Sequence, residues 1–165
     1  VPRFFESGIY KPITPSKRCI SNAMNIGNPS NLARLVWFYG GIMDEKGKVI
    51  KLPDIEKIRA DIDSISITDE ETRTAIKSAY KQGIVLEPHG AVGFAAIEKL
   101  KGKKDLGVVA LLETANPAKF PEELDKLGIT YAIPDNLAKL DKLKEYYVKI
   151  NPDFDKVYKL ILAYP

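Results

Sequence analysis

Apolar residues recur at three- and four-residue spacing in several stretches, each bounded by residues that start or stop helices. Leu32, Leu35, Val36 and Tyr39 follow Asn28 as an N-cap and Pro29 at the first helical position, and run into Gly40-Gly41, so the spacing predicts a helix between them. Thr68 and Glu71 form a capping-box pair ahead of Ala75, Ile76, Ala79 and Tyr80, with Gly83 as the stop. Ala91, Val92, Ala95, Ala96 and Leu100 mark a third helix, whose small residues with Gly90 and Gly93 allow close approach to a sheet or another helix. Residues 44–47 read as a polar hairpin-like turn, and Ile62, Ile65 and Ile67 as a short extended segment.

The run Val108-Val109-Ala110-Leu111-Leu112 is continuously apolar, as expected of a strand covered on both faces in a parallel sheet. It ends in Glu113-Thr114-Ala115-Asn116-Pro117, which puts small polar groups at a carboxyl end, where open α/β sheets place ligands. Beyond Phe120 the pattern predicts a helix over 121–127 closed by Gly128, a short strand over 129–133, and helices over 137–147 and 152–164. Asn136 and Asn151 are candidate caps for the last two, and Leu137, Leu140, Leu143 and Tyr147 make an apolar stripe. Residues 1–27, with Pro2, Pro12, Pro15, Gly8 and Gly27 and no sustained period, read as an extended, loop-rich approach.

With 45% hydrophobic and 28% charged residues over 165 positions, the composition suits one buried core rather than disorder. A formal charge of +3 is too small for the dense basic face that phosphate-backbone binding needs, so nucleic acid is not an expected partner. The excess of cations lies in residues 1–27, where Arg3, Lys11, Lys17 and Arg18 face only Glu6, and any anion preference leans toward that end. The longest apolar runs fall short of the roughly 20 residues that span a bilayer, so no membrane association is expected. A single cysteine, Cys19, excludes an internal disulfide and multi-cysteine metal sites, and a reducing cytoplasm fits best. The chain opens on Val1-Pro2-Arg3 without Met or the regions of a signal peptide, which is expected of a sequence that begins partway through something longer.

Three places concentrate chemistry. The lone His89 stands in Leu86-Glu87-Pro88-His89-Gly90 just before a helix, where the positive helix end favours a neutral imidazole as donor or base; a histidine that simply fixes the turn is the plainer reading. No motif supports a triad or a three-ligand zinc site around it. Residues 21–31 (SNAMNIGNPSN) hold more short amides and hydroxyls than a cap requires, and they lead into a helix whose free N–H groups would suit a phosphate or carboxylate. Thr114 and Lys119 bracket the second polar cluster: a hydroxyl at a strand end can meet a ring nitrogen, and a lysine can meet an anion. No phosphate loop and no Gly-x-Gly-x-x-Gly occurs.

Taken together and in order, residues 21–31 (SNAMNIGNPSN), 87–93 (EPHGAVG) and 114–120 (TANPAKF) resemble threonine synthase, over roughly residues 1–125. The resemblance implies the C-terminal portion of the fold type II pyridoxal-phosphate enzymes: α/β, a parallel sheet flanked by helices, with a helical C-terminal tail. It assigns residues 1–120 to the C-terminal part of the cofactor-binding catalytic domain and 121–165 to a C-terminal helical segment. It also implies that the parent enzyme uses pyridoxal 5'-phosphate to convert O-phosphohomoserine and water into L-threonine and phosphate, with the cofactor as electron sink. Thr114 matches the family's threonine that faces the cofactor's pyridine nitrogen. Asn22, Asn25, Asn28, Ser30, Asn31 and Lys119 are the candidates for the substrate.

The family's Schiff-base lysine motif and cofactor-phosphate loop are absent from this sequence. No catalytic residue is therefore expected in this chain, its partner is the missing N-terminal part of the same enzyme, and alone it should be inactive. Asn25 stands where family members commonly have Asp, and Asn116 where they have His. Those departures admit a phospholyase relative that eliminates phosphate without making threonine, and the absent lysine admits a non-catalytic α/β binding module.

Overall fold

A computed structural model describes residues 1–140 and 142–163. Two compact units divide the chain, one over Val1–Ala132 and one from Ile133 onward.

The first unit buries two separate apolar clusters. One is made by α1 (Pro2–Ser7), α2 (Leu32–Phe38) and α3 (Ile55–Asp61), which bring together Phe4, Phe5, Leu32, Val36, Tyr39, Ile55 and Ile58. Helix α1 corrects the loop-rich reading of residues 1–27. At six residues it is too short to show a period, and it is held by burial of Phe4 and Phe5 and by Arg59 of α3, whose Nε and Nη2 donate to the carbonyls of Phe5 and Glu6 at 2.7 and 2.6 Å. Between α2 and α3, β1 (Ile42–Met43) and β2 (Val49–Lys51) pair antiparallel around the expected turn, where Asp44 Oδ1 accepts from the N–H groups of Lys46 and Lys48.

The second cluster joins α4 (Asp69–Lys81), α5 (Pro88–Lys101) and α6 (Pro121–Lys126) through Ala75, Ile76, Ala79, Leu86, Ala91, Ala95, Leu124 and Ile129. Burying Ile76 and Leu124 completely contributes roughly 2 kcal/mol each. The capping box of α4 forms as expected: Thr68 Oγ1 accepts the Glu71 N–H, and Glu71 Oε2 accepts the Thr68 N–H. Lys99 of α5 pairs with Glu71, and Arg73 Nε of α4 reaches Glu123 Oε2 of α6 at 3.2 Å.

Several expected elements differ. Among the described residues the sheet is the two-stranded ribbon β1–β2. Residues 108–112 are not a covered strand: Val108 is fully exposed and Leu112 80% exposed, and among the described residues no segment pairs with their backbone. Residues 129–133 form no strand either. Ile129 is buried by its side chain, and the Thr130 N–H donates to the Tyr80 hydroxyl rather than to a ladder. The extended segment at Ile62, Ile65 and Ile67 likewise pairs with no strand.

In the second unit, α7 (Asp135–Leu140) stops well before Tyr147, since Leu140 and Leu143 are exposed and an unpacked apolar stripe does not hold a helix. Asn136 lies inside α7 rather than capping it. Helix α8 (Phe154–Ala163) is capped not by Asn151 but by Asp153, whose Oδ1 accepts the Lys156 N–H at 3.2 Å; the expected end at Tyr164 lies outside the described residues.

Candidate functional site

The three polar segments meet at the first turn of α5. Pro88 occupies the first helical position, and Glu87 is the N-cap, although a glutamate is an uncommon cap. Its side chain is wholly buried: Oε1 accepts the Gly90 N–H at 2.8 Å, and Oε2 accepts the His89 N–H at 2.8 Å and faces His89 Nδ1 at 2.5 Å. His89 Nε2 in turn accepts the Ala23 N–H at 3.1 Å, tying the helix end to the 3₁₀ turn Asn22–Met24. The ring also packs at 5.0 Å from the centroid of Phe120, the last residue of the third segment.

Glu113 closes the arrangement. Its Oε1 accepts the Glu87 N–H at 3.3 Å, and its carboxylate occupies the place where a Cβ on residue 90 would stand, which is why glycine is needed there. Desolvation, with the nearby Glu87, pushes the Glu113 carboxyl above the ordinary carboxylate range, against the opposing pull of the Glu87 N–H and His89.

The candidate residues divide around this centre. Asn22 lies in the turn that His89 holds and is exposed. Asn25 turns inward, its Oδ1 accepting the Cys19 N–H at 2.9 Å and lying 3.2 Å from the Cys19 thiol. Asn28 is engaged at both ends, with Oδ1 accepting from the Tyr10 hydroxyl at 2.9 Å and Nδ2 donating to the Glu45 carbonyl at 3.1 Å, so it does not cap α2. Ser30 and Asn31 are exposed at the entry of α2. The free N–H groups expected there are taken up: Leu32, Ala33 and Arg34 donate to the carbonyls of Pro29, Ser30 and Asn31 in a tight turn.

Thr114 is exposed directly after Glu113, and its hydroxyl forms no hydrogen bond among the described residues. Lys119 is exposed at the end of the 3₁₀ turn Pro117–Lys119, whose cap is Asn116 through Oδ1 and the Ala118 N–H. Sequence reasoning gave Glu87 and Glu113 no role of their own. The signal for Glu87 was its place one residue before a proline at a helix start.

The family model for the C-terminal part of threonine synthase matches residues 90–161. Curated threonine synthases from Buchnera aphidicola are 30% identical (subspecies Schizaphis graminum) and 32% identical (subspecies Baizongia pistaciae), each over 98% of this chain and 34% of the relative. Among solved structures, the pyridoxal-phosphate-bound threonine synthase of Brucella melitensis superposes with a TM-score of 0.75 at 27% identity, over 97% of this chain and 37% of that one. That of Escherichia coli gives 0.69 at 28%, over 98% and 34%. The fold is thus that of a portion of the pyridoxal-phosphate-dependent threonine synthases. The chain is similar over nearly its whole length to threonine synthases, and it spans about a third of the length of the curated relatives it matches.

Proposed function

We propose that this chain supplies the C-terminal part of a pyridoxal-phosphate-dependent threonine synthase, which converts O-phosphohomoserine and water into L-threonine and phosphate. The observation that carries the reading is the convergence of residues 21–25, 87–90 and 113–120 on His89. In it residues 1–120 complete the cofactor-binding domain and 121–165 form the C-terminal helical segment. The partner is the N-terminal part of the same enzyme, supported by the coverage of about a third of the relatives and by an apolar run, 108–112, with no strand partner among the described residues. A lone Cys19 fits a cytoplasmic setting, and no helix among the described residues is long and apolar enough to cross a membrane.

When bound, pyridoxal phosphate supplies the electron sink that this chemistry needs. Thr114 would hold it at the pyridine nitrogen with a neutral hydroxyl, which does not force that nitrogen to carry a proton. Asn22, Ser30, Asn31 and Lys119, each exposed, are the side chains open to the substrate's anionic end, while Asn25 holds the Cys19 N–H and Asn28 joins the Tyr10 hydroxyl to the Glu45 carbonyl. The lysine that attaches the cofactor is not in this sequence, so the chain alone is expected to be inactive.

The complete enzyme carrying this chain should release threonine and phosphate from O-phosphohomoserine, and Thr114→Val should lower the rate by tenfold or more. A 2-oxo acid and ammonia as products would favour the phospholyase reading that Asn25 and Asn116 motivate, and unchanged activity in Thr114→Val would refute the cofactor role. A single borohydride-trapped adduct of pyridoxal phosphate with the 165-residue chain would overturn its assignment as the part without the lysine, and Lys119 would be the first position to map.

A further inference from the structure

We propose that Glu87 acts through His89 as a positioning residue for the 21–31 segment, holding it in place only while His89 is neutral with its proton on Nδ1. This rests on the reading above that the segment meets the substrate.

A buried carboxylate only accepts, so the 2.5 Å contact of Glu87 Oε2 requires the proton on Nδ1. Glu87 is itself fixed: it cannot turn away without abandoning the N–H groups of His89 and Gly90. Nε2 is left with a lone pair, and the Ala23 N–H donates into it at 3.1 Å. The other tautomer would set hydrogen against hydrogen at Ala23, and so would the imidazolium. Protonation of His89 therefore removes the bond that joins the Asn22–Met24 turn to α5.

The charged groups facing the ring are Glu87 on its own helix and Glu113 from the segment that leads to Phe120, which itself contributes only an aromatic face. The 21–24 turn brings no charge, only backbone and short neutral side chains. With the ring side chain 17% exposed, solvent protons can reach it without the core opening.

The test is nitrogen-15 spectroscopy of the full 165-residue chain. Ring nitrogen signals should show the Nδ1–H tautomer at neutral pH, and exchange of the Ala23 amide should speed up about tenfold as His89 is protonated, the worth of one net hydrogen bond. His89→Gln places an amide oxygen near the position of Nε2, so it should keep Ala23 protected and abolish the pH dependence. Glu87→Gln should release the ring into a mixture of tautomers. A merely structural cap would slow or speed exchange within α5 without coupling Ala23 to the histidine.

A proton on Nε2 in the unaltered chain, or Ala23 exchange indifferent to His89 protonation, would overturn the proposal even if the variants failed to fold. Inorganic phosphate added to the same samples separates the two readings. If it moves no amide of 21–31 while Ala23 follows His89, the substrate assignment of the segment fails and the latch stands. If it moves them and Ala23 ignores His89, the latch fails and the assignment stands.

Discussion

Residues 87–90 and residues 108–112 invert the usual relation between polarity and burial. Glu87, charged and long, is wholly buried, while the most continuously apolar run carries a fully exposed Val108 and an 80% exposed Leu112. The difference is one of partners. Both carboxylate oxygens that Glu87 brings inside meet donors, two backbone N–H groups and a ring N–H, which offsets the cost of burial. The run has apolar side chains in plenty, yet a strand needs another backbone beside it, and among the described residues it has none. Leu111 alone turns inward, onto Gly93 of α5.

The largest way to break this comparison is Glu87→Ala, which strands the His89 and Gly90 N–H groups and the ring N–H together. It should cost about 3 kcal/mol in urea unfolding. Thr68→Ala removes an exposed cap of the ordinary kind, and a loss of about 1 kcal/mol is expected, so the ratio of the two measures what burial adds. The partner of that cap, Glu71, has its carboxyl held down to about 2 by Lys99 and by the Thr68 N–H. Its stabilisation is complete above the ordinary glutamate range and fades as pH falls from there toward about 2, which acid titration of stability will show.

Glu113 carries the opposite sign. With its carboxyl raised in the fold, it weighs against stability once pH rises above the unfolded value and through the folded one. Glu113→Gln should therefore stabilise the chain at neutral pH, and the gain should vanish as pH falls below the ordinary carboxylate range. The smallest effect belongs to Leu112→Lys, expected to change stability in urea unfolding by less than about 0.5 kcal/mol. A loss of several kcal/mol there would show that the run is covered in solution after all.

Local codes carried much of the fold into the sequence. The Thr68 and Glu71 capping box, the Asp44 turn and the stop after Tyr39 at Gly40 each act within a few residues, and each appears as read. The same locality explains the failures. The stripe from Leu137 to Tyr147 has helical spacing, but spacing stabilises a helix only when the stripe finds a surface, and Leu140 and Leu143 find none. Helix α1 has no legible period and forms because Phe4 and Phe5 reach a core built from residues dozens of positions away.

By itself the sequence determined the helix over Asp69–Lys81 with its capping box, the polar segments rich in short amides and hydroxyls, and their likeness to one enzyme family. Only the tertiary structure decided which of those polar groups face outward: it turned Asn25 and Asn28 to internal partners, consumed the N–H groups at the entry of α2, and brought Ala23, Glu87, Glu113 and Phe120 around His89. The reason is separation along the chain. A cap is satisfied three residues away, whereas the bond from Ala23 to His89 spans 66 positions and exists only once the fold brings the 22–24 turn to the end of α5.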